Sequence, residues 1–340
     1  VRPRARALFP VLAGTALTAA LAGCGVISPH SQTAGSAGGS TPSSSPASKP
    51  STPSSSLPYN MSGLLDPTGG KFFGVEAEGA PSLAPVTAFA NSVGKRPDLV
   101  GQYLAWSSSF DARAVSAAWS YGALYYIAWE PYDTSVQAIA DGQSDAYITR
   151  FADAVRALNL PVAISFGHEM NGNWYPWGSG QTTASEFVAA WRHIHNLFIQ
   201  AGASNVIWVW NPNIINATPQ VQLSQYWPGN SYVDWVGITG YFPISGPETF
   251  ASVYGPTMTE IKQFTSKPII IAETSVETGP SEVQAVHGLV AGVRRRPGVL
   301  GFIWFDFNKA GVDWQLETRP AVRDAMAGAI ARLRLIDPEK

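Results

Sequence analysis

The sequence of 340 residues contains a single cysteine, Cys24. A lone thiol excludes an internal disulfide framework and every zinc or iron–sulfur site built on several cysteines. Charge is also sparse: 14% of residues are Asp, Glu, Lys or Arg, and 22 basic against 24 acidic side chains leave a formal net charge of −2. No basic excess is available to neutralise phosphates, which argues against nucleic acid as a partner. No self-similarity at a period of roughly 20 to 50 residues is visible, so solenoids and propellers are set aside. Several chemical signatures are missing as well. No G-x-S-x-G follows an apolar run, so the elbow of a serine hydrolase is absent. His168-Glu169 is not followed by the second histidine of a zinc-protease helix, because position 172 is Gly. Gly69-Gly70-Lys71 lacks the spacing of a phosphate loop and reads as a turn before the first strand. No metal or cofactor is expected.

What the chain has in abundance is apolar and aromatic material: 45% hydrophobic residues, with 12 Trp, 12 Tyr and 15 Phe. That is ample for a large core and excludes a wholly disordered or coiled-coil protein.

The N-terminus has the form of a secretory signal, with Arg2, Arg4 and Arg6 ahead of an apolar run from Ala7 to Leu21. The run is short for a membrane-spanning helix. Leu21-Ala22-Gly23-Cys24 resembles a bacterial lipobox, in which cleavage precedes the cysteine and its thiol and new amino group are acylated. The expectation is therefore a signal peptide over 1–23 and a chain that meets the membrane only through a lipid on Cys24, on the outside of a bacterial cell. An ordinary signal peptide with an incidental cysteine is the alternative. From 24 to 58 the chain is almost wholly Ser, Pro, Thr, Gly and Ala, and reads as a disordered spacer.

Residues 59–340 alternate short apolar runs with longer amphipathic segments, the βα pattern. Strands are expected at Phe72–Glu78, Leu99–Trp106, Leu124–Trp129, Val162–Phe166, Val206–Trp210, Trp235–Thr239, Ile269–Ala272 and Leu300–Phe305. Eight strands in this length predict an α/β fold, a (β/α)8 TIM barrel. Ser185–Ile199 and Glu282–Val293 show helical spacing and read as wall helices, whereas Asn216–Pro228 reads as a long loop with at most a short helix. On the fifth strand Trp208 is expected to pack and Trp210 to lie at the rim. His193 and His195 fall on a wall helix and are expected to be structural.

In such a barrel the C-terminal strand ends converge on one mouth. The fourth strand runs into Gly167-His168-Glu169-Met170-Asn171-Gly172-Asn173-Trp174-Tyr175-Pro176-Trp177, and the seventh into Glu273-Thr274-Ser275. Two carboxyls across one mouth are the minimum equipment for cleaving a glycosidic bond, one donating a proton and the other attacking or stabilising the anomeric carbon. Tryptophan and tyrosine rings offer flat apolar surfaces to sugar rings, and His168 and Asn171 can bond hydroxyls. A polysaccharide partner accounts for both features. Glu76, Glu130 and Asp306 also end or line strands, with nothing in their context to assign them a role.

His168-Glu169-Met170-Asn171-Gly172, followed by Trp174, Tyr175 and Trp177, resembles the fourth-strand signature of glycoside hydrolase family 26, the retaining endo-β-1,4-mannanase family of a large (β/α)8 clan. The resemblance implies Glu169 as acid/base, Glu273 as nucleophile and Tyr241 as the residue orienting Glu273. It further implies His168 as a positioning group and Trp174 and Trp304 as stacking surfaces for sugar. The family also includes enzymes of β-1,3-xylan and mixed-linkage glucan, so the sugar stays open. A surface carbohydrate-binding lipoprotein without turnover is the reading from another class. Oligomeric state is not legible.

Overall fold

The computed structural model describes residues 57–218, 220–243, 249–309 and 312–338. The signal segment, Cys24 and the spacer up to residue 56 lie outside the described residues.

Eight parallel strands close into one barrel in sequence order: β1 (Phe72–Ala77), β2 (Leu99–Ala105), β3 (Leu124–Glu130), β4 (Val162–Phe166), β5 (Val206–Trp210), β6 (Trp235–Thr239), β7 (Ile269–Thr274) and β8 (Val299–Asp306). Gly74 of β1 is in register with Leu99 of β2 on one side and Ile303 of β8 on the other, which closes the ring and removes both edges. The protein is a (β/α)8 barrel, with strands where the apolar runs placed them. Helices α1 (Ser62–Leu65), α2 (Leu83–Val93), α3 (Ala112–Tyr121), α4 (Val136–Ala140), α5 (Asp145–Leu158), α6 (Ala184–Ala201), α7 (Phe250–Ile261), α8 (Glu282–Arg295) and α9 (Pro320–Ile330) accompany it. The two wall helices expected from spacing are α6 and α8. Thr183 starts α6 with a reciprocal cap: its hydroxyl accepts from the Glu186 backbone, and the Glu186 carboxylate accepts from the Thr183 backbone. Among the described residues between β5 and β6, the chain makes two 3-10 turns, Ile215–Ala217 and Leu223–Tyr226.

Strand alternation sorts the core into two layers. Phe72, Leu99, Leu124, Tyr126, Ile207, Trp235 and Ile270 fill the barrel interior, while Phe73, Val75, Trp208, Trp210, Phe302 and Trp304 pack beneath the helices. This sorting corrects two expectations. Trp210 is two residues from Trp208 and so shares its face. It is buried against Trp227 and Phe264, and its indole N–H donates to the Tyr226 carbonyl at 3.0 Å. Trp304 likewise points away from the barrel axis, between inward-facing Ile303 and Phe305, and is 0% exposed. A ring without accessible surface cannot stack on a sugar, so Trp304 is a packing residue and not a stacking surface. His193 and His195 are structural, as expected: His193 pairs with Asp145 at 2.6 Å, and His195 packs on Trp208 and Tyr232.

The opposite end of the barrel is plugged. Met61 and Leu64 pack under the first residues of the strands, and the Trp235 indole N–H donates to the Leu65 carbonyl at 3.0 Å.

Candidate active site

Glu169 stands three residues beyond β4, in a turn that puts it in the left-handed region at φ 56°. Its backbone N–H donates to the Asn211 carbonyl at 2.6 Å, which anchors the turn to the end of β5. Glu169 as a whole is 5% exposed. Asn213 donates to Oε1 at 2.5 Å, and the Trp174 indole N–H donates to Oε2 at 2.6 Å. Burial, reinforced by the charge of Glu273, pushes its pKa up to about 8, with the Asn213 and Trp174 bonds and Lys309 opposing. Two glycines give this site its shape. At Gly172 an added Cβ would lie 2.4 Å from the Trp174 ring, so the indole reaches Glu169 only over a bare backbone. At Gly101 on β2 it would lie 2.3 Å from the Glu76 side chain, so the missing methyl is what admits that carboxyl to the interior.

Glu273 reaches the mouth through an irregularity in β7. Ile270 and Glu273 pair with Gly237 and Thr239 of β6, while Ile271 and Thr274 pair with Phe302 and Trp304 of β8. One extra residue on β7 therefore faces both neighbours. Strict alternation would turn Thr274 inward and Glu273 outward. Instead the Thr274 hydroxyl bonds the Tyr254 hydroxyl on α7 at 2.7 Å, and Glu273 enters the barrel. Glu273 is 8% exposed. Tyr103 of β2 donates to its Oε2 at 2.5 Å and Tyr241 donates to its Oε1. Burial raises its pKa, and the two phenols and Lys309 pull the other way.

The remaining sequence-predicted residues divide. Tyr241 bonds Glu273 as the resemblance implied. Trp174 is half-buried and bonds Glu169. Asn171 does not face the cavity. Its side-chain NH2 donates to the Asn213 carbonyl and the Thr218 hydroxyl, each at 2.9 Å, and its oxygen accepts from the Asn213 backbone at 2.8 Å. Fully buried and bonded on both ends, it holds Asn213 in place and has no free group for a sugar. His168 is enclosed by Tyr103, Tyr175 and Trp177, and both its ring nitrogens are buried without a partner, so it bonds neither Glu169 nor anything in the mouth. Burial lowers its pKa to about 3, and the imidazole is neutral.

Three residues at the site went unread in the sequence: Tyr103, Asn213 and Trp314. Tyr103 is the third inward position of β2 after Leu99 and Gly101, and alternation alone would have found it. Asn213 lies past the end of β5, where no periodicity applies. Trp314 follows the small hairpin of β9 (Asn308–Lys309) and β10 (Val312–Asp313), partly exposed with its ring 5.1 Å from that of Tyr241. It supplies on this side of the mouth the indole that Trp304 does not. Glu130, at the end of β3, has a pKa raised to about 7 by burial against the opposing pull of Lys309.

Residues 118–266 match the model of Glycosyl hydrolase family 26. Endoglucanase H of Acetivibrio thermocellus is 32% identical over 264 residues, which cover 74% of this chain and 29% of that protein. The matched stretch, which carries β3 to β6 and Glu169, is thus similar to glycosyl hydrolase family 26. Mannan endo-1,4-beta-mannosidase A and B of Caldalkalibacillus mannanilyticus is 31% identical over 148 residues, 41% of this chain and 26% of that protein. The chain thus spans less than a third of the length of these two relatives. The solved structure of a modular endo-beta-1,4-mannanase from Cellulomonas fimi shares the fold at a TM-score of 0.63 and 16% identity, over 81% of this chain and 74% of that one.

Proposed function

We propose that this family 26-like barrel is an endo-acting β-glycanase that cleaves its polysaccharide with retention. The observation that carries the reading is one buried mouth holding two carboxyls whose surroundings differ in kind. Glu169, kept protonated up to about pH 8, acts as the acid and donates to the leaving glycosidic oxygen. Glu273, held by two phenols, attacks the anomeric carbon as the carboxylate. In the second half-reaction Glu169, now ionised and steadied by Asn213 and Trp174, takes a proton from water as that water displaces Glu273. Retention by this route calls for carboxyls about 5 to 5.5 Å apart. Trp174 and Trp314 are the stacking surfaces. The loops after β1 and β2, 78–82 and 106–111, are short, which favours an open cleft and cleavage within the chain.

The substrate reading is a β-1,4-mannan-type backbone, supported by the match to the mannosidase. A β-glucan is the second reading, favoured by the 264-residue match to a protein named Endoglucanase H. Reducing-sugar release from galactomannan, glucomannan, lichenan and β-1,3-xylan decides among them, and release from none of the four counts against glycanase activity. Glu273→Ala separates an enzyme from a binder. The enzyme loses on the order of a thousandfold or more in kcat and regains rate with azide as external nucleophile; a binder keeps its affinity and has no rate to lose. The same reading places the enzyme on the outer face of a bacterial membrane through acylated Cys24. Metabolic palmitate labelling that is retained in the wild type and lost in Cys24→Ala is the expected result.

A further inference from the structure

The Tyr103 hydroxyl lies 2.5 Å from Oε2 of Glu273 and 3.0 Å from Oε2 of Glu76. A phenol has one proton to donate, so it cannot serve two carboxylates at once. Both contacts are hydrogen bonds only when a second proton is present and one of the carboxyls is an acid. Glu273 has Tyr241 as a second donor. Glu76 has none: it is 1% exposed inside the barrel, and its Oε1 has no hydrogen-bond partner. We propose that Glu76 is a permanently protonated positioning residue, which donates from Oε2 to the Tyr103 oxygen and so commits the single Tyr103 proton to Glu273.

The groups facing Glu76 agree with this order. Tyr103, Tyr126 and Tyr241 are phenols whose own ionisation is suppressed by burial, and Glu130 and Glu273 repel a charge on Glu76. Lys309 is the cation that acts on it, and its pull is weaker than burial and than the push of either carboxyl. Burial first and the charge of Glu273 second push the Glu76 pKa well above the ordinary range. A donor–acceptor chain aligned in one direction also polarises its last link, so Tyr103 becomes a better donor to Glu273 than a free phenol would be. The barrel thereby supports an ionised nucleophile with a carboxyl that adds no negative charge.

The test has a spectroscopic arm that rests on no substrate and a kinetic arm that rests on the proposed role of Glu273. In the infrared difference between wild type and Glu76→Gln near pH 7, a carboxylic-acid C=O band disappears; loss of a carboxylate band instead overturns the proposal. In the kinetic arm, Glu76→Gln stays neutral and keeps an N–H donor for Tyr103. It should retain at least about a third of kcat with the acid limb of the pH–rate profile unmoved. Glu76→Met removes the donor, and should lower kcat about tenfold and move the acid limb upward. An acid limb that moves down in Glu76→Gln would show that a negative charge had been removed, and the proposal would fail. If Glu76→Met does not fold, the Glu76→Gln profile and the infrared band still decide. If no glycan is turned over, the infrared band alone decides.

Discussion

Glu169 and Glu273 share a mouth, yet amide and indole N–H groups serve one and phenols the other. That difference makes Asn213 the most informative side chain to remove. Its bond to Oε1 favours the ionised form of Glu169, so Asn213→Ala should move the alkaline limb of kcat/KM to higher pH while lowering kcat in the step where the proposed mechanism makes Glu169 the base. A limb that stays fixed or moves down would contradict this assignment. Asn171 acts one shell behind. Asn171→Ala leaves the Asn213 backbone N–H and carbonyl and the Thr218 hydroxyl without their partner, for a loss of about 1–3 kcal/mol in unfolding free energy measured by denaturant titration.

At the scale of elements, the site depends on two departures from regular geometry, the extra residue in β7 and the turn after β4. Gly172→Ala tests the second without touching a reacting atom. The new methyl displaces the Trp174 ring, and kcat should fall about tenfold or more while the melting temperature changes little, since the residue lies in a loop. Unchanged kcat would mean that Trp174 need not hold Glu169. These departures also explain what the sequence could and could not disclose. The eight apolar runs located every strand of the barrel because buried parallel strands are continuous hydrophobic segments. Glu169 and Glu273 were legible because each lies within three residues of the end of such a run. Trp304 was misread because its role depends on which face of β8 it occupies, and one residue of phase separates the mouth-facing Phe305 from the helix-facing Trp304. Asn171 was misread for a different reason: beside a catalytic-looking glutamate its amide suits a hydroxyl, and only the fold brings up Asn213 and Thr218 to occupy it first. Tyr103 was within reach of simple alternation along β2, whereas Trp314 reaches the site from a distant segment with nothing local to mark its destination.

For the whole molecule, the buried carboxyls tie stability to pH. Glu130 and Glu169 titrate near 7 and 8 when folded against a value of 4.5 when exposed, so the folded state holds more protons than the unfolded state across this window. Their contribution is fully present below about pH 4.5 and is lost as pH rises through 7 and 8. The melting temperature should therefore fall between about pH 5.5 and pH 8.5, and the fall should be smaller in Glu169→Gln, as calorimetry at the two pH values would show. An equal fall in both proteins would mean that Glu169 is not held protonated by the fold.

The plug of Met61 and Leu64 has a mechanical corollary. Because Met61 and Leu64 lie beneath the N-terminal strand ends, a pull on the chain at Tyr59 would reach the floor of the barrel first, and the cleft at the other end would feel it last.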